Sequence, residues 1–249
     1  MKALAMEFYK CRRRKILLVC LGLLAAQLLW FGVYFTRLDS EEIAQGWQML
    51  LYNLALIDAI MLPLAVSVLA SRSCEAEHKG ATLKLLETII TPGSLYRAKL
   101  CWGAAVLAAV LLVRIPLFVG LGLFAGLSAP VPWGRFLLFT AISWAVSMTV
   151  YLLQQGLSLR FANQAVPLVC GIFGSFVGLM SMLFPPWVQR CFPWSYYGVL
   201  SLAGMDWDAQ SRISTMYWRW PEPVDFLLLA LWCILFWRIG RTLFVRKEV

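Results

Sequence analysis

Six apolar runs separated by short polar stretches set the pattern of this chain. They cover residues 16–35, 48–70, 100–127, 136–158, 164–184 and 224–237. The first five are about 20 residues or longer, the length at which an α-helix crosses ~30 Å of hydrocarbon. The sixth has only about 14 residues before Arg238. Snorkelling of Arg238 and Arg241 lets its helix run on through the following Ile-Gly-Arg-Thr-Leu-Phe-Val-Arg-Lys. The pattern predicts an all-α polytopic membrane protein, one domain over residues 1–249, with six transmembrane helices and no internal repeat.

The longest polar stretch with long apolar runs on both sides is 71–99, SRSCEAEHKGATLKLLETIITPGSLYRAK. From Glu75 to Ile90 its spacing predicts a short amphipathic helix. Leu83, Leu86 and Ile90 recur at +3 and +4 with Leu85 and Ile89 beside them, and Glu77, Lys84 and Glu87 lie away from that stripe. Thr91-Pro92-Gly93 ends it, and Ser94 is placed to cap the next helix. Spans two and three are thus expected to be joined by a helix along the membrane face, a shape suited to receiving a push from a soluble partner.

Charge gives the orientation. Lys2, Lys10, Arg12, Arg13, Arg14 and Lys15 precede the first run. That run is too long for a cleavable signal and lacks a small-x-small site before Thr36, so it reads as an uncleaved span. Most of the 22 Lys and Arg residues fall in this N-terminal stretch, in 71–99, at Arg160 and at the C-terminus. The opposite side carries an acidic loop (Asp39, Glu41, Glu42), a turn at 128–133 and the long segment 185–223. Positive charge stays inside, so both termini are expected to be cytoplasmic.

Composition agrees: 61% of residues are hydrophobic and 14% charged, against about 25% charged in soluble domains. The net charge of +9 does not point to nucleic acid, because the basic residues sit at the ends of apolar runs rather than on one continuous face. Seven scattered cysteines form no Cys-x-x-Cys pair. They read as small apolar fillers, and no structural disulfide is expected.

No catalytic, cofactor-binding or metal-binding constellation is found. His78 is the sole histidine, and no nucleophile elbow or P-loop is present, so any nucleotide that drives the chain sits on another subunit. Asp58 and Arg114 are charges placed within spans. Such groups usually face protein or water. They read as a substrate pathway, as an ion pair between spans two and three, or as separate structural charges. Gly122-x-x-x-Gly126 and Gly174-x-x-x-Gly178 suit close helix contact, within the chain or between subunits. Pro63, Pro116 and Pro167 kink their spans, as hinges or as tolerated bends. The segment 185–223 is dense in aromatics. Trp187, Trp194, Trp207, Trp218 and Trp220 form either an interfacial belt or a shallow outer-leaflet surface for an amphipathic cationic substrate.

Glu75-x-Glu77-His78-x-Gly80, Leu85-Leu86 and Pro92 followed by Arg97 and Lys99 resemble the membrane subunits of lantibiotic-protection ABC transporters, in the type-2 ABC exporter permease group. Glu7-x-x-Lys10-x-Arg12-Arg13 is similar to that family's amphipathic lead-in, and Pro193-Trp194-Ser195 is a weaker match. The resemblance implies a bacterial cytoplasmic-membrane permease paired with an identical or related chain and two ATP-binding subunits, with ATP and Mg²⁺ on the ATPase. Glu75, Glu77, His78, Lys79, Gly80, Lys84 and Glu87 would form the ATPase-coupling element. The cargo would be lantibiotic-type peptides expelled from the membrane lipid, giving immunity or antibiotic resistance. A bacitracin-like cargo and a non-transport sensor or scaffold are the competing readings.

Overall fold

In hydrocarbon only helices and closed barrels pair every backbone N–H and C=O, so apolar runs of spanning length become helices. The computed structural model describes residues 2–12, 16–79, 91–208 and 213–246. Its helices are α1 (Lys2–Arg12), α2 (Ile16–Phe35), α3 (Ser40–Ala44), α4 (Gly46–Lys79), α5 (Pro92–Phe124), α6 (Trp133–Arg160), α7 (Ala165–Ser181), α8 (Pro186–Gln189), α9 (Tyr196–Val199) and α10 (Pro223–Arg246). Five of them, α2, α4, α5, α6 and α10, are long and apolar enough to cross a membrane. The fifth sequence-predicted span becomes α7, apolar but only 17 residues long. The chain is a multi-pass, predominantly α-helical membrane protein.

The second span does not stop where its hydropathy stops. The sequence pattern ends it near residue 70 and starts a separate helix at Glu75, whereas α4 runs unbroken for 34 residues to Lys79, about 51 Å of helix. Ser71-Arg72-Ser73-Cys74-Glu75 changes the solvent the helix meets, but no glycine or proline lies between Pro63 and Gly80 to break it. Glu75, Glu77, His78 and Lys79 are therefore the last turns of α4. Gly80, Lys84 and Glu87, with the rest of the expected amphipathic helix, lie outside the described residues. The next helix begins at Pro92 rather than after a Ser94 cap. Thr91 takes an extended N-cap backbone (φ −62°, ψ 141°) and proline occupies the first turn, where its missing N–H costs nothing.

α4 is the centre of the bundle, with Leu50, Leu51, Leu54, Ala59, Val66 and Leu69 fully or almost fully buried. Phe31 of α2 meets Phe118 of α5 edge-on at 5.2 Å. The segment expected to lie wholly outside turns back into this core. After α7 the chain passes through α8 and a 3₁₀ turn (Pro193–Ser195) into α9, and Tyr196, Leu200 and Leu202 have no exposed surface. Only then does it leave as an antiparallel hairpin, β1 (Ala203–Asp208) against β2 (Ile213–Trp218), with Met205 opposite Met216. This hairpin is a departure from the all-α expectation. Met216 N–H donates to the Gln45 amide oxygen Oε1 (2.7 Å), tying the hairpin to the start of α4.

Both glycine pairs serve packing or turning within the chain. Gly122 faces the Trp47 ring, while Gly126 at φ 88° closes α5 in the left-handed region. Gly174 and Gly178 form a slot for Trp194, and a Cβ at Gly174 would overlap the indole. Gly174→Val should therefore lower stability by about 1–3 kcal/mol through overpacking. Gly120→Val on α5, where a Cβ meets nothing, should shift the thermal midpoint in detergent far less. Equal shifts would show that the slot is not tight.

Candidate functional site

The two intramembrane charges come together. Asp58 on α4 and Arg114 on α5 are buried, and Arg114 Nη1 donates to both Asp58 carboxylate oxygens at 2.7 Å. Gln27 Nε2 of α2 (3.1 Å) and Ser143 Oγ of α6 (3.3 Å) also donate to Asp58. The guanidinium lies 5.4 Å from the Phe139 ring centroid. One carboxylate thus joins four spanning helices. A charge pair in a low-dielectric interior persists only when its remaining polar atoms are largely satisfied, and Asp58 accepts from three side chains.

Ser143 opens a buried polar stripe along α6 that the sequence reading did not single out. Ser147 Oγ and Tyr197 OH are 3.0 Å apart. Tyr151 OH donates to Lys99 O (3.2 Å) and Gln155 Nε2 to Tyr96 O (3.0 Å). The Gln154 amide is oriented so that Nε2 donates to Pro167 O (2.9 Å) and Oε1 accepts from Gly171 N–H (3.1 Å). Those are the two α7 groups that a helical i→i+4 bond would join. At the end of the stripe, Ser158 O is 2.9 Å from His78 Nε2. A carbonyl only accepts, so Nε2 carries the proton. Positions 143, 147, 151, 154, 155 and 158 recur with helical spacing, and that periodicity was the available signal.

The His78 end of the bundle holds a second buried ion pair. Lys99 Nζ donates to Glu7 Oε2 (3.0 Å) and to Ser73 O (2.8 Å), with both charged side chains fully buried. Lys10 is 3.5 Å from Glu7 Oε1. This cluster fixes α1 and α5 to the last turns of α4. The lead-in motif and the basic residue beyond Pro92, quoted above as separate matches, are thus one contact. Beside it, a cleft of about 470 Å³ opens between α4 and the α6–α7 turn, lined by Arg72, Glu75, His78, Asn163, Gln164 and Leu168 among others. Glu75 pairs with Arg72 at 3.0 Å.

At the opposite end the five tryptophans do not form one surface. Trp187, Trp207 and Trp220 are exposed, Trp218 is half-buried and Trp194 is committed to the α7 glycines. Trp218 and Trp220 share a resident cation, the Arg135 guanidinium lying 4.4 and 4.8 Å from their ring centroids. Arg190 bonds Asp225 (2.6 Å) and Glu222 and anchors the start of α10. Among the described residues no group of three His, Cys, Asp or Glu side chains could hold a metal.

No curated protein matches the chain. Residues 3–178, more than two thirds of it, match the family described as ABC-2 family transporter protein, and the match ends within α7, so it takes in α1 and the first four of the spanning helices. With its apolar helices packed about α4 and joined by buried ion pairs, the chain belongs to the ABC-2 transporter family, as the membrane-embedded permease component of an ABC transporter.

Proposed function

We propose that this chain is the permease subunit of an ATP-driven exporter that expels lantibiotics or similar antimicrobial peptides from the bacterial cytoplasmic membrane and so confers immunity or resistance. It lies there with the His78 end and both termini cytoplasmic, and α7 with the returning segment 182–202 serves as the fifth of six membrane segments. It pairs with a second permease chain, identical or related, and with two ATP-binding subunits that hold ATP and Mg²⁺. The coupling element comprises the end of α4 (Glu75, Glu77, His78, Lys79) and the stretch carrying Gly80, Lys84 and Glu87. Exposed Trp187, Trp207 and Trp220 meet the cationic amphipathic peptide in the outer leaflet.

The observation that supports this reading best is the unbroken α4. One helix links the hairpin end, through Gln45 and Met216, to the Asp58 ion pair and then to His78. A displacement of its end is carried along one continuous helix, with Pro63 inside it, rather than lost in a loop. The test is copurification of the coexpressed ATP-binding subunit. Glu77→Ala combined with His78→Ala should reduce its retention about tenfold, a loss of ~1.4 kcal/mol. His78→Gln, which keeps a donor for Ser158 O, separates docking from α4–α6 packing. Undiminished retention in both variants removes the docking assignment. Cells with the intact complex should survive lantibiotics that kill cells whose ATPase is inactive, and protection confined to bacitracin would reassign the cargo.

A further inference from the structure

An apolar trough of about 310 Å³ runs between α6 and α10 at the His78 end of the bundle. Its walls include Leu153, Phe236, Ile239 and Leu243, and Gly156 and Gly240 lie in it. A Cβ built on Gly156 would come within 3.2 Å of the Gly240 Cα, so the two helices nearly touch there without side chains between them. Arg160, the last residue of α6, stands at the mouth, and the trough runs from it toward the middle of the bundle. From Leu243 to Phe236 is seven residues of helix, about 10 Å. The hydrocarbon of one leaflet is about 15 Å deep.

We propose that this trough binds one acyl chain of an anionic phospholipid from the leaflet on the His78 side, with the lipid phosphate at Arg160. The walls are apolar and open sideways, at a depth where acyl chains are the solvent. Among the described residues the charged group lining the trough is a cation, Arg160, at the end where a headgroup lies, and a guanidinium, with five N–H donors, matches phosphate in charge and in donor geometry. The volume is at the lower end of small-ligand sites, enough for the headgroup-proximal part of a single chain. The inference does not depend on the cargo or on the ATPase-coupling element.

The experiment is native mass spectrometry of the full-length chain released from nanodiscs of equal parts phosphatidylglycerol and phosphatidylcholine. One retained phosphatidylglycerol per chain is expected, favoured about fivefold over phosphatidylcholine, as one basic residue at a membrane surface gives. Arg160→Gln should abolish that preference while keeping a retained lipid. Ile239→Trp, or Leu153→Trp on the facing wall, should remove the lipid itself, whereas Leu231→Trp on the exposed face of α10 should not. Thermal midpoints of the variants close to the parent exclude misfolding. Lipid retained equally in the parent and both trough-filling variants overturns the proposal. So does a dimer mass without lipid that Ile239→Trp dissociates, since the occupant would then be a second copy of the chain.

Discussion

Asp58→Leu is expected to cost about 3–5 kcal/mol of stability, because it leaves the buried Arg114 without an acceptor. Among the described residues Asp58 is the only acceptor that Arg114 has, and the Phe139 ring face is its other neighbour of favourable charge. Arg114→Leu should cost less, since Asp58 keeps the Gln27 and Ser143 donors. The double variant Asp58→Leu/Arg114→Leu should recover to within about 1–2 kcal/mol of the parent, as paired charges replaced by apolar groups do. The difference between the double and the sum of the singles is the coupling energy of the pair. Unfolding in detergent micelles followed by tryptophan fluorescence measures all three. A double variant as unstable as Asp58→Leu alone would mean that the pair is not the seam joining α4 to α5.

The same cycle separates structure from transport. A double variant that folds and still gives the proposed protection assigns the pair a packing role only. A folded but inactive one places the pair in the moving parts. The geometry favours the second outcome, because Asp58 is held from α2, α4, α5 and α6 at once. A relative shift of any one of those helices would change its hydrogen bonds.

Hydropathy made the spanning helices legible, since a run of apolar residues long enough to cross a bilayer has few other fates. It misplaced their ends where helix and membrane part company. At Ser71 the chain turns polar, but nothing there is a helix breaker, so α4 continues to Lys79. At Pro92 the helix begins eight residues before the apolar run does. Segment 185–223 was placed on the outer side by charge and read as surface from its aromatics, yet Tyr196, Leu200 and Leu202 fill the core. An interfacial aromatic belt and a segment folded back into the bundle share a composition. The β-branched and aromatic residues Ile213, Thr215, Tyr217 and Trp218 were a strand signal masked by the aromatic-rich composition around them.

Pairings were less legible than elements. Asp58 and Arg114 are 56 positions apart and Glu7 and Lys99 are 92. One chain supplies no rule for which faces meet. A span that hides serines and glutamines on one face does carry such information. On α6 the large residues Leu137 and Trp144 face outward while Ser143, Ser147 and Gln154 are buried. Small and polar residues recurring at helical spacing within an apolar run mark the side that meets other helices, since lipid cannot satisfy them.

Lys99→Met is expected to have an effect of similar size but different reach. Among the described residues it leaves Glu7, fully buried, with Lys10 at 3.5 Å from its other oxygen as the one remaining cation. The cost should again be about 3–5 kcal/mol. α1 is an 11-residue helix that precedes the first spanning helix, however, and it can escape the penalty by undocking without unfolding the bundle. The expected signature is therefore local. Chymotrypsin should cut at Phe8 and Tyr9, which are 45% and 68% exposed while α1 is docked, much faster in Lys99→Met, while the bundle's thermal midpoint moves little. Asp58→Leu should do the reverse, lowering the midpoint without selective loss of α1. Glu7→Met/Lys99→Met should restore most of the protection, though not all, because Lys99 Nζ also donates to Ser73 O and that carbonyl loses a partner worth about 1 kcal/mol. If Lys99→Met instead lowers the midpoint as far as Asp58→Leu does, α1 is an integral part of the bundle and not a separately docked arm. The push proposed to reach α4 would then be borne by α1 and α5 together.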